Sequence, residues 1–251
     1  MKNLLFIITL VTFYCNVSIA QASFVETQKA APKSLLAFNK FEDTLQKQFE
    51  AKKFSWPPQY VYIRSFKYDK QLEVWVKGDK KEQYKLFKSY KVCMQSGSIG
   101  PKRFEGDFQV PEGFYHINEF NPNSNYHLSL GINYPNASDK ILSDSAKPGS
   151  AIYIHGNCVS TGCLAIADEP IEEVYVLTSY AKDAGQEFIP VHIYPVKFNQ
   201  KKSEEYLQEA IKNNPSLEKF SSSMKQVFDY FEAKKNLPIL LVTGQGEYLV
   251  N

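Results

Sequence analysis

Residues 150–170 read "SAIYIHGNCVSTGCLAIADEP". The stretch opens as an apolar strand, "AIYI", that delivers His155 to a sheet edge, and the backbone then turns through Gly156. Ser160, Thr161 and Gly162 lead to Cys163, and the segment closes on a helix start. There Asp168 is expected to cap a helix with Pro170 near its beginning, Glu169, Glu172 and Glu173 in the favourable first turn, and Ala184-Gly185 near its end. A strand and a helix thus bracket a short loop that holds one histidine and two cysteines.

Strand-like runs surround this segment. Upstream, "QYVYIRSFK" (59–67), "QLEVWVK" (71–77) and "EQYKLFKSYKVCM" (82–94) alternate apolar and polar residues across short polar turns, which predicts an antiparallel meander. "FYHINEF" and "YHLSLGINYP" continue the pattern towards His155, and "EFIPVHIYPV" (187–196) follows the helix after Asp168. A leading helix is expected where Leu35, Leu36, Phe38, Phe41, Leu45 and Phe49 share a face, ending before Trp56-Pro57-Pro58. The tail predicts helices over about 203–213 and 216–233 and a final strand "PILLVT". The expected fold class is β-rich α+β. The divisions are a signal peptide at 1–20, a helical segment at 21–57, a central strand-rich unit at 58–198, and C-terminal helices with a final strand at 199–251.

Of the 251 residues, 43% are hydrophobic and 22% charged, enough to bury one substantial core. The formal charge of +2 is spread without basic blocks, so the footprint of a nucleic-acid binder is missing. The N-terminus "MKNLLFIITLVTFYCNVSIA" has a lysine, an apolar run and small residues ending at Ala20, which predicts an export signal cleaved after Ala20. Thr12-Phe13-Tyr14 before Cys15 are too bulky for a good lipoprotein cleavage box. No other apolar run approaches the ~18 residues that span a bilayer. The expected location is the periplasm or cell envelope. Cleavage leaves Cys93, Cys158 and Cys163, an odd number for an oxidising compartment, so at least one thiol stays free or pairs between chains.

Three chemistries fit the loop. His155, Cys158 and Cys163 supply three ligands for zinc, one short of a structural site. A disulfide joins either Cys158 to Cys163 or Cys93 to Cys158, the latter leaving Cys163 free. In the third reading Cys163 is a nucleophile and His155 takes its proton, because a thiol attacks only as a thiolate. Gly162 lets the chain bend so that amides near Cys163 face a developing oxyanion.

"YIHG" and "STGC" resemble the motif of the L,D-transpeptidase catalytic domain, or YkuD, family: an Ile-His-Gly strand end and a downstream Ser-x-Gly-Cys. "SYKVCMQSGSIGPKRFEGDFQVPEGFYHI" (89–117), "YHLSLGINYPNASDK" (126–140) and "FDYFEAKKNLP" (228–238) are similar to its YafK-like branch. The resemblance implies a YkuD-like β-sandwich with a leading helix and C-terminal helices. It implies that Cys163 is the nucleophile, His155 the general base and acid, Gly156 the carbonyl that orients His155, Gly162 and Cys163 the oxyanion amides, and Ser160 a loop-positioning residue. No metal or organic cofactor is implied. Thr161 stands where many members have histidine and Ala165 where they have arginine or asparagine, and the loop is short. These features are typical of the YafK-like branch, whose resemblance implies hydrolysis of an amide near meso-diaminopimelate in a peptidoglycan stem peptide, including release of a wall-linked lipoprotein. Cross-linking or protein attachment is the alternative, and a non-catalytic wall-binding or redox protein is a second.

Lys102, Arg103, Tyr115, Tyr134 and Thr161 are candidate substrate-binding residues, with Asp107 beside the first two. His116, His127 and His192 read as structural or exposed.

Overall fold

The computed structural model describes residues 22–251; the expected signal peptide and Cys15 lie outside them. Among the described residues no helix is long and apolar enough to cross a membrane. The chain begins with helices α1 (Phe24–Lys29) and α2 (Pro32–Ala51). Ser34, Ala37, Phe38, Phe41, Leu45 and Phe49 are the buried positions of α2, spaced for one helical face. Leu35 and Leu36, expected on that face, are exposed because Leu35 lies about 90° round the helix from its centre and Leu36 about 170°.

The predicted meander is present as β1 (Tyr60–Phe66), β2 (Gln71–Lys77) and β3 (Lys85–Lys91), each antiparallel to the next. The remaining strands are β4 (Gly113–Asn121), β5 (Ser129–Ile132), β6 (Tyr153–His155), β7 (Leu164–Ala165) and β8 (Pro190–Tyr194). They form one mixed sheet in the order β3-β2-β1-β8-β4-β5-β6-β7. Strand β8 joins its two halves, parallel to β1 and antiparallel to β4. Strand β4 pairs with β8 through its first residues and with β5 through its last, with a register shift between Ile117 and Glu119. The fold is therefore the expected β-rich α+β type, with helices at both ends of the chain.

Period-2 alternation divides the packing. Val61, Ile63, Leu72 and Val74 face a core shared with α2 and with α4 (Asp168–Asp183), which contributes Ile171, Val174 and Leu177. The opposite face carries Tyr62, Phe66 and Trp75 against α6 (Pro215–Lys234), with α5 (Lys201–Ile211) beside it. Helices on both sides explain why β1 and β2 are buried almost throughout. Arg64 is buried on the α6 side and meets Glu73 at 2.6 Å and Glu232 at 2.7 Å. Glu73 also receives Lys197 at 2.7 Å and the Trp75 indole at 2.9 Å, so the buried charges are paired and hydrogen-bonded.

Among the short elements that the sequence reading did not name are α1, α3 (Ala137–Leu142), capped by Asn136, and the two-residue β7. The chain ends in a hairpin of β9 (Leu240–Val242) and β10 (Tyr248–Val250).

Candidate active site

Strand β6 places His155 at its end, between β5 and β7, and β7 begins immediately after Cys163. The parallel register of Ile154 with Leu164 and His155 with Ala165 returns the chain to the same sheet edge after the loop. The histidine at the end of β6 and the cysteine at the entrance to β7 therefore lie on neighbouring chain segments joined by one tight connection.

His155 is only 2% exposed. Its Nδ1 donates to the Gly156 carbonyl at 2.5 Å, the interaction expected for Gly156. A ring nitrogen that donates to a carbonyl carries the proton, so in the neutral imidazole Nε2 holds the free lone pair. The Tyr126 ring lies 4.8 Å from the imidazole, centre to centre. Burial holds the His155 pKa below the usual 6.5, partly offset by the Gly156 hydrogen bond. Burial also raises the Cys163 thiol above 9.0, partly offset by the Tyr153 amide, which donates to Sγ at 3.4 Å. The thiol itself lies 3.8 Å from the Ala151 carbonyl. At neutral pH the resting residues are a neutral thiol and a neutral imidazole, a base ready to accept rather than a preformed ion pair.

Ser160 organises the loop. Its hydroxyl donates to the Cys163 carbonyl at 2.7 Å and accepts the amides of Cys163 at 2.9 Å and Gly162 at 3.3 Å. One donor and two acceptor sites are all used. The expectation that Gly162 and Cys163 present free amides to an oxyanion is therefore not met in this geometry. Gly162 has φ +135°, a backbone region that glycine enters readily. Gly156 is needed for space instead: a Cβ there would lie 2.6 Å from Asp168 Oδ1 and 2.9 Å from His127 Cβ.

Asp168 corrects a second expectation. It is the first residue of α4, not its cap; Ala167 precedes the helix with no side-chain cap. The Asp168 carboxylate instead accepts the Asn157 amide at 2.6 Å, pinning the turn after His155. The sequence placed Asp168 at a helix start, and nothing local disclosed its partner across the loop.

Cys93 and Cys158 form a disulfide, with Cα atoms 5.6 Å apart, and Cys163 is the free cysteine among the described residues. The bridge ties the loop to the segment after β3, where the Cys93 amide donates to the Ala165 carbonyl at 2.8 Å. It removes the Cys158 thiolate from the zinc alternative and decides between the two disulfide pairings.

The substrate-binding candidates disperse. Tyr115 is 3% exposed and its hydroxyl donates to Asp139 at 2.9 Å; Tyr134 is 6% exposed and donates to the Pro148 carbonyl at 2.8 Å. Both brace the loops behind the site instead of facing a ligand. Lys102 is buried too, its ammonium held by Asp107 at 2.5 Å and the Phe104 carbonyl at 2.8 Å. Arg103 remains partly exposed, 3.3 Å from Asp139, and Thr161 is exposed on the loop. His192 is buried against Tyr62, as expected of a structural residue, whereas His127 is half-buried and meets Glu172 at 2.6 Å.

The sequence profile of the L,D-transpeptidase catalytic domain (YkuD) matches residues 60–193. The chain is 36% identical over 193 residues to the protein named "Putative L,D-transpeptidase YafK" of Escherichia coli strain K12, covering 76% of this chain and 74% of that one. Among solved structures, the helical cell shape determining protein Pgp2 from Campylobacter jejuni is similar at 21% identity and TM-score 0.43, over 73% of each chain. Mycobacterium tuberculosis L,D-transpeptidase 1 is similar at 14% identity and TM-score 0.29, over 53% of this chain and 61% of that one.

Proposed function

This chain belongs to the L,D-transpeptidase catalytic domain (YkuD) family, and on that premise we propose that it is an exported cysteine enzyme that hydrolyses an amide at meso-diaminopimelate in a peptidoglycan stem peptide. The observation that carries the reading is a free thiol, Cys163, the one such cysteine among the described residues, placed at the entrance to β7 beside strand β6, whose end carries a buried imidazole, His155, with Nδ1 fixed on the Gly156 carbonyl.

Nε2 of His155 takes the Cys163 proton as Sγ attacks the substrate carbonyl carbon. The tetrahedral intermediate collapses with expulsion of the amine, which receives that proton from the imidazolium. A thioester on Cys163 remains. Water then adds to the thioester, giving its proton to Nε2, and collapse returns the proton to Sγ and releases a carboxylic acid. The Tyr153 amide, already directed at Sγ, supports the thiolate through the first step. Ser160 keeps the attacking residue in place through its three backbone bonds. No metal or organic cofactor enters the scheme. Candidate substrates include stems that carry a covalently attached lipoprotein.

Mass spectrometry of peptidoglycan fragments, from wall with and without attached protein, tests the reading. Release of attached protein or of a terminal residue by the mature protein but not by Cys163→Ala is the expected result. New diaminopimelate–diaminopimelate links would show that an amine, not water, resolves the thioester. No Cys163-dependent change would sink the enzymatic reading.

A further inference from the structure

Away from Cys163, the C-terminal elements form a hollow that the scheme above leaves without a role. Helix α6 and the β9–β10 turn enclose about 260 Å³ against Arg103, with Phe220, Tyr248 and Leu142 supplying apolar walls and Lys219 and Glu247 at its edge. Lys219 and Glu247 pair with each other, so their charges cancel locally. Arg103 does not cancel in the same way. Its Nη1 is shared between the Lys102 carbonyl at 3.4 Å and Asp139 at 3.3 Å, both long contacts, while Nε and Nη2 have no partner among the described residues. A guanidinium with two adjacent unpaired donors matches a carboxylate in the bidentate manner that a lysine cannot reproduce.

A second depression shares Arg103, Ser216 and Phe220 with the first and extends past Gly100 to Gln109. The Gln109 carbonyl lies 3.7 Å from the position a Cβ on Gly162 would occupy, so this end of the groove abuts the loop that carries Cys163. Arg103 thus sits where the two depressions meet, one running under the C-terminal hairpin and the other reaching Gln109, the residue whose carbonyl faces Gly162; together they form one groove. The wall near Arg103 is rigid: Gln109 is clamped by the Ser98 and Gly100 carbonyls, each at 2.8 Å, and Gly100 by the buried Glu112 carboxylate at 2.7 Å.

We propose that this groove is a substrate subsite in which Arg103 binds a free carboxylate of the stem peptide at a distance from the scissile amide, with Phe220 and Tyr248 packing on the adjoining aliphatic chain. The inference rests on the cysteine chemistry proposed above and deepens it: the enzyme would distinguish stems with free carboxylates from amidated ones. Arg103 acts on binding and on placement of the peptide, not on the reacting atoms, so its loss should fall on KM more than on kcat.

The test uses two synthetic stem tetrapeptides that differ only in carrying free carboxylates or carboxamides outside the scissile bond. Their affinity for the mature Cys163→Ala protein is measured by calorimetry, and their turnover with the intact enzyme by mass spectrometry. The carboxylate form should bind about tenfold or more tightly, the effect expected of one charge-assisted pair. Arg103→Gln should erase that preference and raise KM with kcat nearly unchanged. Arg103→Lys, which keeps the charge beside Asp139, should recover only part of it. Ser216→Trp, at an exposed position shared by both depressions, should weaken binding of both peptides without disturbing the ion pair. Equal affinity for the two peptides, or an unchanged preference in Arg103→Gln, overturns the subsite and leaves the Cys163 chemistry standing. Absence of Cys163-dependent turnover of either peptide overturns the enzymatic reading together with this inference.

Discussion

The chemistry proposed at Cys163 depends on how little each neighbouring side chain is free to do. Burial lowers the His155 pKa, so the imidazole stays neutral, and able to accept a proton, at pH values where an exposed histidine is half protonated. The acid limb of kcat/KM is therefore expected below about pH 6.5, the unperturbed histidine value. Tyr126 covers the ring, and Tyr126→Ala should move that limb upward towards the unperturbed value; a pH–rate profile of the two proteins measures the displacement. Ser160→Ala strips one acceptor from two amides and one donor from the Cys163 carbonyl. Each unsatisfied backbone group costs roughly 1–3 kcal/mol, and kcat should fall by about ten- to a hundredfold while Ser160→Thr keeps most of it. Single-turnover kinetics on the same stem peptide would read both variants. The arrangement of His155, Gly156, Ser160 and Cys163 was legible because their spacing is local. Tyr115, Tyr134 and Lys102 were not, because what decides their role is burial against Asp139, Pro148 and Asp107, contacts made by folding and invisible to a motif.

At the scale of elements, the loop from His155 to Cys163 is held by three independent ties: the β6–β7 pairing, the Asp168 carboxylate on Asn157, and the Cys93–Cys158 bridge. The bridge spans 65 residues, a loop whose closure in the unfolded chain corresponds to about 4 kcal/mol in the chain-entropy estimate. Cys93→Ser with Cys158→Ser should lower stability by roughly 2–4 kcal/mol, read as a shifted urea midpoint. An unchanged midpoint would show that the bridge is not formed in the folded protein. The longer elements announced themselves by period. The apolar spacing of α2 and the alternation of β1 to β3 predicted both, although Leu35 and Leu36 fell off the buried face. Strand β7 is two residues long and is held by Ile154 and His155 on one side and by Cys93 and Met94 on the other, so no periodicity could signal it. The insertion of β8 between β1 and β4 is a pairing of residues far apart in sequence, and pattern alone leaves it open.

The whole molecule is a sheet covered on both faces by helices, and its interior holds titratable groups that set its tolerance of acid. His192 in β8 is buried between Tyr62 and Tyr194, and desolvation pushes its pKa down to about 3. Below about pH 6.5 the unfolded chain binds a proton that the folded chain refuses, so stability contributed by neutral His192 is lost as pH falls from there towards about 3. The loss amounts to several kcal/mol by order of magnitude, and His192→Gln should flatten the dependence; urea midpoints at pH 7 and pH 4 for both proteins give the comparison. The same two-sided covering places helix α6 and the C-terminal hairpin beside Arg103, which joins the tail of the chain to the depression that reaches Gln109.

The central claim is a covalent intermediate on Cys163. Mature protein mixed with a stem peptide, quenched in acid within the first turnover, and weighed intact should carry one additional acyl group, which peptide mapping locates on Cys163 and which is absent from Cys163→Ser. An enzyme that consumes the peptide with no such adduct, or with the adduct on another residue, would contradict it.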